Sequence, residues 1–177
     1  MTLEELWQLF PIILTAPNPS WPQWYKEEAE RLRALVPELV LHHIGSTSVP
    51  GIWAKPIVDI LALAGDDMDL EELTQRICGA GYICMSREEN RVSFNKGYTP
   101  EGFAERVFHL HLRRTGDADE LYFRDYLIAH PEEAKAYEAL KLSLWKPFEH
   151  NRDGYTAAKT DFIALHTQKA KQEQHRR

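Results

Sequence analysis

The chain has 177 residues, 44% of them hydrophobic and 27% charged, with a formal net charge of −6. This is enough chain for one domain with a sizeable core, and the composition excludes a disordered or fibrous protein. The negative balance provides no global basic field, so long nucleic acid is not an expected partner, although a local basic pocket is compatible with it.

The first residues, Met1-Thr2-Leu3-Glu4-Glu5, are acidic and lack the cationic start of a signal peptide. No apolar run is long enough to suggest a membrane span, so no membrane partner is expected and the chain reads as cytoplasmic. Residues 2–10 form a short amphipathic helix with Leu3, Leu6, Trp7 and Phe10 on one side, ended by Pro11. Ile12-Ile13-Leu14 is a short strand candidate. Pro17 to Pro22 is a turn in which Ser20 is placed to cap the next helix, with Pro22 tolerated in its first turn. That helix runs from about Pro22 to Val36. Leu39–Ile44 and Ile57–Ala64 read as core strands. Asp67 or Asp69 caps a helix that Gly79-Ala80-Gly81 stops. Cys78 and Cys84 are the only cysteines, and their spacing fits neither a zinc knuckle nor a redox pair. Tyr82–Met85 is strand-like. Arg91–Phe94 pairs with Arg106–Leu112 as a hairpin around a Gly97–Gly102 loop. Three helices follow, at about 119–130, 131–146 and 151–171. Residues 1–16 read as an N-terminal extension, 17–168 as the domain, and 169–177 as a flexible basic tail.

The stretch His42-His43-Ile44-Gly45-Ser46-Thr47-Ser48-Val49-Pro50-Gly51, followed by Lys55 and Ile57-Val58-Asp59-Ile60-Leu61, carries the chemistry. A strand breaks into a donor-rich turn and returns as an apolar strand bearing one carboxylate. Gly45 lets the backbone come close to a ligand, and Ser46, Thr47 and Ser48 offer hydroxyls and backbone N–H groups for an anion. Lys55 adds a cation. Asp59 is costly in an apolar strand unless it is paired or binds a metal. The structural alternative is a tight turn with Asp59 bridged to Lys55 or to an arginine.

These residues resemble the signature of the GrpB family, within the nucleotidyltransferase-like superfamily. Ile44-Gly45-Ser46 and Asp59-Ile60 match the superfamily pattern, but Leu61 stands where it has a second acid. The resemblance continues through Asn18-Pro19-Ser20-Trp21, Phe108-His109-Leu110-His111, Phe123-Arg124-Asp125-Tyr126-Leu127-Ile128-Ala129-His130-Pro131 and Tyr155-Thr156-Ala157-Ala158-Lys159, covering most of residues 17 to 163. It implies an α/β (α+β) fold of nucleotidyltransferase type: a mixed, largely antiparallel sheet packed by helices, with a C-terminal helical segment.

Alternation places His109 and His111 on one face of a strand. Should that strand lie beside Asp59, the three form a two-histidine, one-carboxylate set for a divalent metal such as magnesium, manganese or zinc. The alternative is a pair of hydrogen-bonded histidines. Arg124 presents a planar fork suited to phosphate, or else an ion pair with Asp125 or Glu133. Lys141, Tyr155 and Lys159 lie at helical spacing and could join Lys55 and Arg124 around one anion. The leading expectation is a nucleotidyltransferase-like protein that binds a nucleotide or phosphorylated small molecule and transfers a nucleotidyl group. Asp59, Ser46 and Lys55 are its catalytic candidates; Gly45, Ser46, Thr47, Ser48, Lys55, Arg124, Lys141, Tyr155 and Lys159 its phosphate-binding candidates. Because Leu61 removes a carboxylate that two-metal transfer needs, two other classes stand beside it. One is a non-catalytic binding module for nucleotides or coenzyme A precursors, implied by the GrpB-like domains fused to dephospho-CoA kinases. The other is a metal-dependent phosphohydrolase.

Overall fold

A computed structural model describes residues 1–177. Five strands form one sheet: β1 (Val40–Ile44), β2 (Ile57–Ala64), β3 (Ile83–Arg87), β4 (Arg91–Thr99) and β5 (Gly102–Arg114). Their spatial order is β1-β2-β5-β4-β3. Only β2 and β5 run parallel; the other neighbours are antiparallel. The sheet is therefore mixed and largely antiparallel, with the two most apolar strands side by side at its centre.

Strand alternation divides the sheet into two faces. On one face Val58, Ile60, Ala62, Phe94, Leu110 and Leu112 join α2 (Trp21–Leu35) and α3 (Leu70–Cys78) in a core of 20 buried residues. Each large aliphatic side chain buried there is worth about 1.5–3 kcal/mol. On the other face Asp59 and Leu61 of β2 lie beside His109 and His111 of β5, in register as Asp59↔His109 and Leu61↔His111. This face is closed by α4 (Asp119–Ala129), α5 (Pro131–Trp145) and α6 (Arg152–His175). Those helices hold each other through Tyr126, Leu127, Tyr137 and Ala170, with Val49 and Ile52 from the segment after β1.

Several local expectations are corrected. Ile12-Ile13-Leu14 is not a strand. Ile12 and Leu14 are buried, and the segment is held by single bonds: Ile12 N–H to Glu149 O at 2.7 Å, Trp145 Nε1–H to Ile12 O at 2.7 Å, and a bridge between Thr15 and Ala54. Ser20 does not cap α2 with its side chain; its own N–H is taken by Asn18 Oδ1 at 2.9 Å. Asp69, rather than Asp67, caps α3. The hairpin strands continue to Thr99 and from Gly102, so the expected six-residue loop is largely strand; Gly97, at φ +96°, sits at a bulge. The C-terminal residues expected as a flexible tail are helical to His175. Ala170 is buried there, Lys171 pairs with Asp119 at 2.7 Å, and Glu173 meets His130 at 3.1 Å. A short helix α1 (Leu3–Leu9), capped by a Thr2/Glu5 capping box, precedes Phe10, which packs on Tyr98 and Phe103. No helix is long and apolar enough to cross a membrane.

Candidate functional site

The turn after β1 is built around Gly45. Its φ is +74°, and a Cβ added there would stand 2.5 Å from Asp59 Oδ2, so only glycine lets the turn lie against the carboxylate. The chain then makes one 3-10 turn, Ser46–Ser48. Of the three hydroxyls, the turn directs only that of Ser46 to the cavity. Thr47 is buried, its Oγ1 2.9 Å from His43 Nε2, and Ser48 donates back to the Gly45 carbonyl. Burial pushes the His43 imidazole down to about 4, against the pull of Asp59, and its ring stacks on Tyr25. Thr47 and Ser48 therefore shape the turn instead of presenting hydroxyls to a ligand.

Asp59 meets both strand histidines. His111 Nε2 lies 3.2 Å and His109 Nδ1 3.7 Å from the same oxygen, Oδ1. Arg152 donates to the Tyr98 hydroxyl at 2.6 Å, and Tyr98 OH lies 2.7 Å from His109 Nε2. With its oxygen receiving the Arg152 proton, Tyr98 donates onward. A neutral His109 that accepts at Nε2 carries its own proton on Nδ1, facing Asp59. Burial pushes His109 down to about 3, with Asp59 opposing, which keeps it neutral. Burial raises the Asp59 carboxyl, but the His111 hydrogen bond, the two imidazoles and Lys55 together hold it well below the usual carboxylate range. As they stand, Asp59 is hydrogen-bonded to His111 and lies 3.7 Å from His109, and no group of three His, Cys, Asp or Glu is disposed to hold a metal ion. An ion at Asp59 would have to displace imidazole N–H donors.

Leu61 is fully buried beside Ile44 and Leu63, packed against Ala118 and Leu121. Leu61, where the resemblance led to the expectation of a second acid, is thus part of the seal between the sheet and α4.

Above Asp59 lies a cavity of about 750 Å³, enclosed by the sheet face, the Ser46 turn and α4–α6. This is within the usual range for small-molecule sites. Lys55, Lys141 and Lys159 enter it from three separate elements. Lys141 is 2% exposed and donates to Ser46 Oγ at 2.8 Å and to Trp53 O at 2.6 Å. Lys55 and Lys159 sit over the Tyr155 ring at 5.5 and 4.5 Å, and Lys141 over the Tyr137 ring at 4.8 Å. The ion-paired lysines of this chain are Lys96, Lys135, Lys146, Lys169 and Lys171; of the four lysines that line the cavity, Lys55, Lys141 and Lys159 have no carboxylate within 4.0 Å. Burial pushes Lys55 down to about 7, reinforced by Lys159 and Arg152. It pushes Lys141 to about 7, again reinforced by Lys159, and Lys159 to about 8. The Tyr137 and Tyr155 phenols are pushed up by burial.

Gly45, Ser46, Lys55, Asp59, His109, His111, Lys141, Tyr155 and Lys159 all line this one cavity. Arg124 does not. It donates to the His43 carbonyl at 2.9 Å and to Asp125 at 2.8 Å, capping the open edge of β1. Asp59 is bridged by histidine rather than by Lys55 or an arginine. Sequence reasoning missed Tyr98 and Arg152 behind His109, and the length of α6 given to the cavity. Tyr155, Lys159, Ile163, Thr167 and Lys171 follow the helical period along one face, a stripe readable from spacing alone.

Residues 11–169 match the family model described as GrpB protein. The chain belongs to the GrpB family. The UPF0157 protein PA4798 of Pseudomonas aeruginosa is 38% identical over 152 residues, 83% of this chain and 62% of that one. A dephospho-CoA kinase of Mycolicibacterium paratuberculosis is 25% identical over 84% of this chain and 43% of its own length. The chain thus spans less than two thirds of either relative. The crystal structure of conserved protein GrpB from Enterococcus faecalis superposes with a TM-score of 0.79 at 29% identity, over 91% of this chain and 98% of that one.

Proposed function

We propose that this GrpB chain binds a nucleotide or other phosphorylated small molecule, with its phosphates on Lys55, Lys141 and Lys159 beside Ser46. The observation that carries this reading is that Lys141, buried, and Lys55 and Lys159, half-buried, share one cavity with no carboxylate partner. Burying like charges together is costly unless a counter-charge arrives. A polyphosphate supplies it, and each lysine regains a proton and an ion pair. The likeness to a dephospho-CoA kinase adds coenzyme A precursors to the ligands worth testing.

The arrangement supports binding better than transfer. The lysines are placed to neutralise charge on phosphoryl oxygens. Asp59, however, is held too acidic to be an efficient base at neutral pH, and Leu61 leaves no second carboxylate. A second reading adds a divalent metal at Asp59, His109 and His111. It brings three ligand side chains to one place, but the ion would have to take the imidazole contacts to Asp59 Oδ1 for itself. Such binding would release protons and would vanish in His111→Ala, as elemental analysis of the purified protein would register.

Thermal melts with tripolyphosphate, ATP and dephospho-CoA, in chelator, test the main reading. A ligand at a hundred times its Kd adds about 2.7 kcal/mol, roughly 5–10 °C for a chain of this size. The shift should appear in the wild type and disappear in Lys159→Met. Asp59→Asn separates the two readings: removing a lone carboxylate strengthens metal-free anion binding, whereas removing a metal ligand weakens binding. No shift with any phosphorylated ligand, in a cooperatively folded sample, refutes the proposal.

A further inference from the structure

The sheet face that carries Asp59 continues past the main cavity. Ile57 pairs with Val107 as Asp59 does with His109, and alternation places all four side chains on that face. Beside Ile57 and Val107 lies a second cavity of about 160 Å³. An apolar cavity of about 150 Å³ admits a benzene ring, so this one has room for a ligand body of roughly five or six carbon atoms. Lys55 and Ile57 line both cavities, so the two compartments meet at these side chains. The other walls of the second are largely apolar, with Ile13 from the N-terminal segment and Phe103 from β5.

Two cations line this compartment, Lys55 and Arg152, the latter in the first turn of α6. Arg152 donates to the Tyr98 hydroxyl at 2.6 Å and to the Phe10 carbonyl at 3.4 Å, both uncharged. A guanidinium has five N–H groups, so its fork keeps donors to spare. After burial and Lys159, the Arg152 charge is what pushes the Lys55 ammonium down, so the two cations repel. One anion between them would satisfy both. Glu105, exposed, is the one carboxylate lining the compartment, and its charge opposes a ligand with more than one anionic group. Apolar walls, small volume and a planar fork suit a carboxylate on a short hydrocarbon better than a phosphate.

We infer that this second compartment binds a small monocarboxylate with an apolar body, its carboxylate on the spare N–H groups of Arg152 and on Lys55, and its body against Ile13, Phe103 and Val107. The carboxylate site is separate from the phosphate site proposed above and shares only Lys55 and Ile57 with it, so either ligand binds without the other. With both bound, Lys55 stands between a carboxylate and a phosphate.

The test is a protein-observed NMR titration of the wild type, Ile13→Trp and Arg152→Gln. The ligands are isovalerate, its neutral counterpart isovaleramide, its cationic counterpart isopentylamine, and tripolyphosphate. The wild type should bind isovalerate at least about tenfold more tightly than isovaleramide, the gain expected of charge-assisted hydrogen bonds. Arg152→Gln should bring that ratio to within about threefold. Ile13 is 40% exposed, so a tryptophan there crowds the compartment without disturbing the core. Ile13→Trp should lose isovalerate and keep its affinity for tripolyphosphate. Equal affinity for acid and amide, or no binding of isovalerate by the folded wild type, overturns this inference; tripolyphosphate binding then leaves the phosphate reading standing. Isopentylamine binding as tightly as isovalerate overturns it in favour of an ammonium ligand on Glu105. Isovalerate that survives Ile13→Trp and is displaced by tripolyphosphate sits on the main-cavity lysines, which also overturns it. Isovalerate binding as expected while tripolyphosphate fails supports this site and removes the phosphate reading.

Discussion

Gly45 is constrained twice, by a left-handed φ and by the carboxylate against which it lies. Alanine at that position would have to adopt a disfavoured backbone and push Asp59 away from His111. Gly45→Ala is therefore expected to cost about 2–4 kcal/mol and to lower the melting temperature by roughly 4–15 °C, measured by calorimetry. A variant that melts like the wild type would show that the turn has room to move. Arg124 is the opposite case. Its guanidinium is spent on the His43 carbonyl and on Asp125, outside the cavity. Arg124→Ala should lose about 1–2 kcal/mol of stability and leave the affinity for tripolyphosphate unaltered. A fall in affinity with unchanged stability would return Arg124 to the phosphate site. The two residues show what the residue scale concealed. A glycine between a strand and a hydroxyl run reads correctly because its backbone freedom is intrinsic, whereas an arginine's fork fits a carbonyl edge as well as a phosphate, and tertiary packing decides which it meets.

At the scale of elements, legibility followed period and context. The central strands β2 and β5 were readable because their apolar runs and alternation are local properties. The side-by-side placement of Asp59 and His109 entered only as a condition suggested by the family resemblance; the parallel register of β2 and β5, which no local pattern supplies, meets it. Ile12-Ile13-Leu14 misled because an irregular segment can bury alternate apolar residues as a strand does: Ile12 and Leu14 are buried and Ile13 is exposed. The C-terminal residues misled for the complementary reason. Their composition is basic and polar, and the partners that order them, Asp119 and His130, lie on α4 and at its end, remote in sequence. Deleting residues 169–177 should accordingly lower the melting temperature by roughly 2–8 °C, the equivalent of about 1–2 kcal/mol from Ala170 burial and two partly exposed pairs. An unchanged melt would mean that the last turns of α6 contribute nothing. The cavity itself was half legible: the cations were found, but the depth of α6 was not, because a polar helical stripe reads equally well as a solvated face.

Across the whole molecule, the three cavity lysines couple folding, pH and ligand. Their folded pKa values, about 7, 7 and 8, lie below the ordinary lysine value, so in the ligand-free protein the unfolded chain holds more protons from about pH 7 upward. Stability then rises with pH across that window: the penalty of confining charged lysines is full below about pH 7 and relieved as they deprotonate. An anion reverses the sign. Binding raises the lysine pKa values, so complex formation takes up protons near pH 8 and its affinity falls as pH climbs from 7 to 9. Two measurements check this together. The melting temperature of the free protein should increase between pH 7 and 9, less so in Lys159→Met, and that variant should itself melt a few degrees above the wild type at pH 7 without ligand. Tripolyphosphate titrations in buffers of different ionisation enthalpy should show net proton uptake at pH 8, lost in part in Lys159→Met. Proton release in place of uptake would mean that the lysines are already fully charged and that another group is titrating. A ligand-induced shift of constant size from pH 7 to 9 would separate the cavity lysines from the ligand altogether.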